Sequence, residues 1–142
     1  MTGGSYILKI KLGEDVDCNV GSLNEVTFEA GWYAYVGSSR TTDFKRVERH
    51  KKVDSGEKST RHWHIDYLLG LTQSDLIGSY RTESDVECLL SENINLDYAD
   101  DFGCSDCKCN SHLYFSDDKE DFDEKLADCF KQSDVKYIFS ES

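Results

Sequence analysis

The sequence has no proline among its 142 residues, so its turns depend on glycine, asparagine, aspartate and serine. It has no apolar run near the roughly 18 residues that a membrane helix needs, and its first residues show no signal peptide. Without an export signal, the six cysteines favour thiols or metal ligands over a disulfide framework. We therefore expect a cytoplasmic protein with no membrane partner.

Positive charge is scarce, because 16 Lys and Arg face 28 Asp and Glu, for a net charge of -12. Averaged over the surface, this charge repels nucleic acid and anionic membranes. Residues 40–61 are the exception, since eight Lys and Arg there outnumber four Asp and Glu. The sequence thus predicts one basic patch on an acidic body. High-salt adaptation is an alternative source of the acidity, although we take the excess of 11 Lys over 5 Arg to disfavour it.

The length and the 38% hydrophobic content suit one domain with a substantial core. Alternating apolar residues predict strands at 5–12, 25–28, 32–36, 76–81, 112–115 and 135–139. Helical spacing predicts helices at 44–53, 64–71, 84–94 and 118–131. The third helix begins with a capping-box pattern from Ser84 to Glu87, and residues 13–19 are a polar connection. This order predicts an α/β domain with a mostly antiparallel central sheet flanked by helices.

Two tyrosines and a basic helix stand at intervals that suit one site. Tyr6 lies at the start of the first predicted strand, and Tyr35 lies near the end of another. In the following helix, Arg46 and His50 are four residues apart and share a face. These groups suit phosphodiester hydrolysis, in which a tyrosine or histidine accepts a proton from water and a cation stabilises the phosphate oxygens. A carboxylate from a later helix would bind Mg²⁺.

The triplets Gly4-Ser5-Tyr6 and Tyr35-Val36-Gly37 resemble the defining motifs of the GIY-YIG nucleases, with Ser5 in place of isoleucine. The chain is more closely similar, from residue 4 to about 115, to a largely archaeal branch known as domain of unknown function 123. Some members of that branch are fused to an endonuclease III-type repair glycosylase. The segments that carry this resemblance are 31–38, 49–50, 63–68, 87–88, 102–109 and 111–113.

The resemblance implies a GIY-YIG-like domain over residues 1–115, with a Cys-rich segment at 102–113. Residues 116–142 would be an acidic extension packed on the same domain. The implied function is a Mg²⁺- or Mn²⁺-dependent endonuclease that acts on DNA in repair or processing. Tyr6 would be the general base or its partner, and Tyr35 would position water or phosphate. Arg46 would stabilise the phosphoryl oxygens with the assistance of His50.

Two glutamates of the third predicted helix are candidates for the catalytic metal. Glu87 is favoured by the resemblance, although it is also placed to cap its helix, and Glu92 is the alternative in the middle of the helix. A second candidate metal site, for structural zinc, consists of Cys104, Cys107, Cys109 and His112. The alternatives are a buried thiol cluster and a disulfide from this segment to Cys88 or Cys18. We expect His64 and Asp66 to form hydrogen bonds within the core or to line the cleft.

The predicted DNA-contacting residues surround the second triplet and the basic helix. They are Gly37, Ser38, Arg40, Lys45, Arg49, Lys51, Lys52 and Arg61. The ordinary alternative is that these charges form a solvated helix face. Two other functions stay open: a module that binds nucleic acid without cutting it, and a domain that binds a basic protein through its acidic C-terminal region. Residues 83–142 hold 17 Asp and Glu against five Lys and Arg.

Overall fold

A computed structural model describes residues 4–20, 25–39, 45–55, 64–71, 73–84, 86–98 and 112–141. At Ser39, Lys45, Arg46, His64 and Cys88 only the backbone is described. The strands are β1 Gly4–Leu12, β2 Val16–Asn19, β3 Glu25–Phe28, β4 Gly31–Ser39, β5 Ser74–Thr82, β6 Asp97–Tyr98, β7 Leu113–Ser116 and β8 Ile138–Glu141. The helices are α1 Lys45–Asp54, α2 His64–Leu69, α3 Glu87–Asn93 and α4 Lys119–Gln132.

Six of these strands form one antiparallel sheet in the order β6-β7-β4-β1-β5-β8, and β2 pairs with β3 in a separate hairpin. Strand β1 is central, and its alternating side chains reach both faces of the sheet. Leu8 and Ile10 pack on one face with α1 and α2, whereas Ile7 packs on the other face with α3 and α4. The predicted α/β class with a mostly antiparallel sheet is confirmed.

The C-terminal segment is built into this core. Helix α4 is capped by Asp118, whose carboxylate accepts from the backbone N–H groups of Glu120 and Asp121. Its buried face is formed by Phe122, Leu126, Cys129 and Phe130. Each fully buried side chain of this size contributes about 1.5–3 kcal/mol of burial free energy. Strand β8 then pairs with β5 and extends the sheet.

Two local predictions are wrong, and the strand predicted at 135–139 begins three residues later, at Ile138–Glu141. The polar connection predicted at 13–19 contains strand β2, because Val16 and Cys18 pack against the core. The third helix begins at Glu87 rather than residue 84, with Val86 as its N-cap and no capping side chain of its own. In place of the predicted capping box, the hydroxyl of Ser5, which is distant in the sequence, binds the start of the helix. Ser5 Oγ accepts from the Val86 backbone N–H at 2.8 Å and donates to the Ser84 carbonyl at 2.8 Å.

In the part of the chain that the structure describes, no helix is both long enough and apolar enough to cross a bilayer.

Candidate active site

A buried tyrosine–histidine pair lies where β1 begins. Tyr6 Oη and His50 Nε2 share a hydrogen bond of 2.8 Å, and their rings are tilted at a centroid separation of 5.6 Å. Tyr6 is 2% exposed and His50 is 0% exposed. Tyr6 comes from the central strand, whereas His50 comes from α1. The pair therefore joins the sheet to the helix that covers it.

Gly37 makes room for the Tyr6 ring. The two residues are directly opposite each other in the β1–β4 register. A Cβ atom at position 37 would lie 2.4 Å from both Cζ and Oη of Tyr6, which is closer than side chains tolerate. Glycine is therefore required here by the close approach of an aromatic side chain. The two sequence triplets are thus connected by one packing contact.

Tyr35 supplies the third aromatic group of the site. Its ring stands nearly perpendicular to that of His50, at 75° with centroids 6.1 Å apart. It lies on the same face of the sheet as Tyr6, because both belong to the core cluster under α1 and α2. The structure thus brings together three of the predicted catalytic residues, namely Tyr6, Tyr35 and His50.

The guanidinium of Arg49 is paired with a buried carboxylate. Arg49 Nη1 and Nη2 donate to the two oxygens of Asp66 at 2.8 and 2.9 Å. These hydrogen bonds raise the pKa of Arg49, against the opposing effect of burial, and the nearby charges of Asp66 and Tyr6 raise it further. Asp66 is 0% exposed, as expected for a core hydrogen-bonding role. The structure shows that Arg49 links α1 to α2, and its predicted contact with DNA stays a prediction.

The remaining predicted DNA-contacting residues are only partly described. Lys52 is exposed, and Lys51 Nζ lies 3.4 Å from Glu48 Oε1 on the same helix. Ser38 is half-buried near the end of β4. Arg40 and Arg61, and the side chains of Lys45 and Arg46, lie outside the described part of the chain. Their roles stay predictions, including that of the candidate catalytic residue Arg46, which occupies the first turn of α1.

Glu87 faces a buried histidine on the other side of the sheet. Its Oε1 lies 3.6 Å from His112 Nε2. His112 Nδ1 is hydrogen bonded to Ser91 Oγ at 2.9 Å, and the His112 carbonyl accepts from the Val36 backbone N–H at 2.9 Å. Burial lowers the pKa of His112, and the charge of Glu87 partly offsets this.

The Tyr6–His50 pair and the Glu87–His112 pair lie on opposite faces of the sheet, both near the start of β1. Helix α3 packs with the cluster that contains Ile7, whereas Tyr6 belongs to the other cluster. Ser5, adjacent to Tyr6, holds the residue before Glu87 through its hydrogen bond with Val86. Two consecutive residues of β1 therefore serve the two pairs: Ser5 holds the residue before Glu87, and Tyr6 binds His50.

A family profile described as "Domain of unknown function DUF123" matches residues 5–135. The chain belongs to this family. The match continues beyond residue 115 and through α4, so it includes most of the segment expected to be an extension. Comparisons with curated proteins and with solved structures found no match.

The DUF123 domain offers a limited set of metal ligands. Among its described residues, no group of three or more His, Cys, Asp or Glu side chains is arranged to hold a metal ion. Glu87 nevertheless suits Mg²⁺, which is often bound through one or two carboxylates together with water and substrate phosphates. Glu92 is exposed elsewhere on α3. Cys104, Cys107 and Cys109 lie outside the described residues, so the zinc site stays a prediction.

Sequence reasoning missed two supporting residues of this DUF123 domain. Ser5 stands where the GIY-YIG motif has isoleucine, and its hydroxyl fixes the start of α3. Ser91 was not singled out, although it orients His112. No local pattern marks either role, because both partners lie far away in the sequence. Ser5 stands out in the sequence only as a small polar residue inside an apolar strand, which does not identify its partner.

Proposed function

We propose that this DUF123 domain is a GIY-YIG-type endonuclease that hydrolyses DNA phosphodiester bonds with Mg²⁺ or Mn²⁺, in DNA repair or processing. The observation that carries the proposal is the 2.8 Å hydrogen bond between Tyr6 and His50, with the Tyr35 ring against the same imidazole. A phenol in contact with an imidazole is suited to receive a proton and transfer it. The basic region of residues 40–61 would attract the phosphate backbone.

In the proposed reaction, water attacks phosphorus and loses a proton to Tyr6 Oη. The phenolic proton of Tyr6 passes at the same time to His50 Nε2, so the imidazole becomes the final acceptor. The new P–O bond forms as the bond to the leaving oxygen breaks, and that oxygen takes a proton from solvent. Positioned proton transfer of this kind contributes about 10²- to 10⁴-fold to a rate. Tyr35 would orient the water or the phosphate.

Charge stabilisation is assigned to Arg46 and to the metal. Arg46 precedes His50 by one helical turn, and a cation there would stabilise the phosphoryl oxygens. Glu87 would hold the metal, which when bound neutralises charge on the phosphate. The Ser5 hydrogen bond to Val86 supports this assignment, because it holds the start of α3 beside the strand that carries Tyr6.

The test is a cleavage screen of branched, nicked and plain DNA duplexes with Mg²⁺, with Mn²⁺ and with EDTA. We expect metal-dependent cleavage of at least one substrate, and loss of about 100-fold or more in the folded Arg46→Ala variant. Lys131→Ala is the control, because it removes an exposed cation from α4, on the opposite face of the sheet from Tyr6 and His50. Unchanged cleavage by Arg46→Ala would remove Arg46 from the site.

A second candidate is a module that binds DNA without cutting it. The burial of Tyr6 and His50 favours this alternative, as does the pairing of Arg49 with Asp66, because all four groups are already engaged within the protein. In that case the protein would bind duplexes in EDTA, and no metal would produce cleavage products. Gel-shift and cleavage assays on the same labelled duplex separate the two functions.

We also propose a basic protein partner for the acidic C-terminal region, in a cytoplasmic setting. Helix α4 buries its apolar face and exposes Glu120, Glu124 and Asp128, which are suited to attract positive charge. A pull-down with and without charge reversal at these three positions tests the proposal. Equal recovery of basic proteins by both forms would contradict it.

A further inference from the structure

Glu87 and His112 face each other across a gap that is too long for a hydrogen bond. The separation of Oε1 and Nε2 is 3.6 Å. Two ligand atoms on a single ion, each at about 2.0–2.2 Å, lie about 2.8–3.6 Å apart for bond angles between octahedral and tetrahedral values. A shift of a few tenths of an ångström, within the freedom of a Glu side chain, would bring both atoms to an ion. Glu87 has this freedom because its side chain is 25% exposed.

The orientation of His112 is already fixed. Its ring is 2% exposed, Ser91 Oγ holds Nδ1 at 2.9 Å, and its backbone is tied to β4 through Val36. Metal-binding histidines characteristically engage their second ring nitrogen in such a hydrogen bond. The ring therefore meets the requirements of a preorganised ligand.

We propose that Glu87 and His112 together bind one divalent transition-metal ion, through the Glu87 carboxylate and His112 Nε2. Water or a substrate phosphate completes the coordination. A nitrogen and an oxygen ligand suit Mn²⁺ better than Mg²⁺, because Mg²⁺ prefers oxygen alone. The inference deepens the proposed function, on which it rests for the role of the ion. It adds His112 to the metal site and predicts that the site binds Mn²⁺ more tightly than Mg²⁺.

The test is calorimetric titration of the full chain with Mn²⁺, in the absence of DNA. We expect one site per chain and tighter binding of Mn²⁺ than of Mg²⁺. Glu87→Gln and His112→Gln should each weaken binding by at least about tenfold, and Ser91→Ala should weaken it by about 10- to 100-fold, since it leaves both ligands but releases the ring. Glu92→Gln is the matched control on the same helix and should bind like the wild type. Mn²⁺ binding that is unaffected by Glu87→Gln would overturn the proposal.

A second measurement needs no variant and so does not depend on a buried substitution folding. In ¹⁵N-labelled wild-type protein, Mn²⁺ at low stoichiometry should first broaden the amide signals of Glu87, His112 and Leu113. Broadening centred on the acidic face of α4 would refute the site. The binding measurements contain no DNA, so they test the metal site independently of cleavage. Mn²⁺ binding at Glu87, together with no cleavage in the DNA screen, would support the site and refute the proposed function. Cleavage without Mn²⁺ binding at Glu87 would refute the site alone.

Discussion

Substitution of Gly37 by alanine tests the contact that connects the two sequence triplets. The added Cβ would lie 2.4 Å from the Cζ and Oη atoms of Tyr6. Ordinary contact begins near 3.4 Å, so the ring must move by about 1 Å, and the 2.8 Å bond from Tyr6 to His50 is lost or distorted. Overpacking of this kind costs about 1–3 kcal/mol, and the better strand propensity of alanine returns about 0.5–1 kcal/mol. The expected net loss is up to about 2.5 kcal/mol.

Urea unfolding of Gly37→Ala measures this loss, and two other glycines provide controls. At Gly13 a Cβ would lie 3.6 Å from the Gln73 carbonyl oxygen, so Gly13→Ala should leave stability nearly unchanged. At Gly78 it would lie 2.6 Å from Phe139 Cζ and from a backbone oxygen, so Gly78→Ala should lower stability. Gly78 contacts strand β8 rather than Tyr6, so its variant should retain cleavage.

Cleavage by Gly37→Ala should fall by up to about 10²-fold, because a misplacement of 1 Å is enough for such a loss. A double-mutant cycle with Tyr6→Ala isolates the cause, since the alanine at position 37 should be harmless once the ring is gone. The expected coupling free energy is about 1–2 kcal/mol. A coupling near zero, or stability equal to that of Gly13→Ala, would refute the packing of Tyr6 across Gly37.

Three further predictions concern the supporting contacts. Ser5→Ala removes the hydroxyl that accepts from Val86, so the free energy of unfolding should fall by about 1 kcal/mol and amide exchange in α3 should accelerate. Asp66→Asn removes the negative charge and one of the two acceptors of Arg49, and it should cost about 2–3 kcal/mol by urea unfolding. A loss below that of Ser5→Ala would contradict the pairing. Burial lowers the pKa of His112, so below about pH 6.5 the unfolded chain binds a proton that the folded chain does not. The free energy of unfolding should therefore decrease as the pH is lowered below this value. His112→Gln should reduce this pH dependence, and an unchanged pH dependence would contradict it.

Much of the fold was predictable because its strands and helices have clear periodicity. Strand β1 alternates between the two faces of the sheet, and α4 repeats its apolar residues at helical spacing. The start of α3 was not predictable from local pattern. Ser84 and Glu87 match a capping box, but a hydroxyl from position 5 determines where the helix begins.

The candidate site shows the same division. Tyr6, Tyr35 and His50 could be grouped in advance, because two adjacent strands and the following helix constrain their positions. The partner of Arg49 could not be assigned, since the sequence does not determine how α2 packs beside α1. The facing of Glu87 and His112 likewise depends on the pairing of β7 with β4, which is a long-range register.

The most direct test of the proposed nuclease is the rate of plasmid nicking by wild type, Tyr6→Phe and Tyr98→Phe at excess enzyme with Mn²⁺. Tyr6→Phe keeps the ring but removes the hydroxyl that contacts His50, so nicking should fall by at least about 10²-fold. Tyr98 is 46% exposed and belongs to β6, so its variant should keep the wild-type rate. Absence of metal-dependent nicking by the wild type, or equal rates for Tyr6→Phe and wild type, would contradict the account.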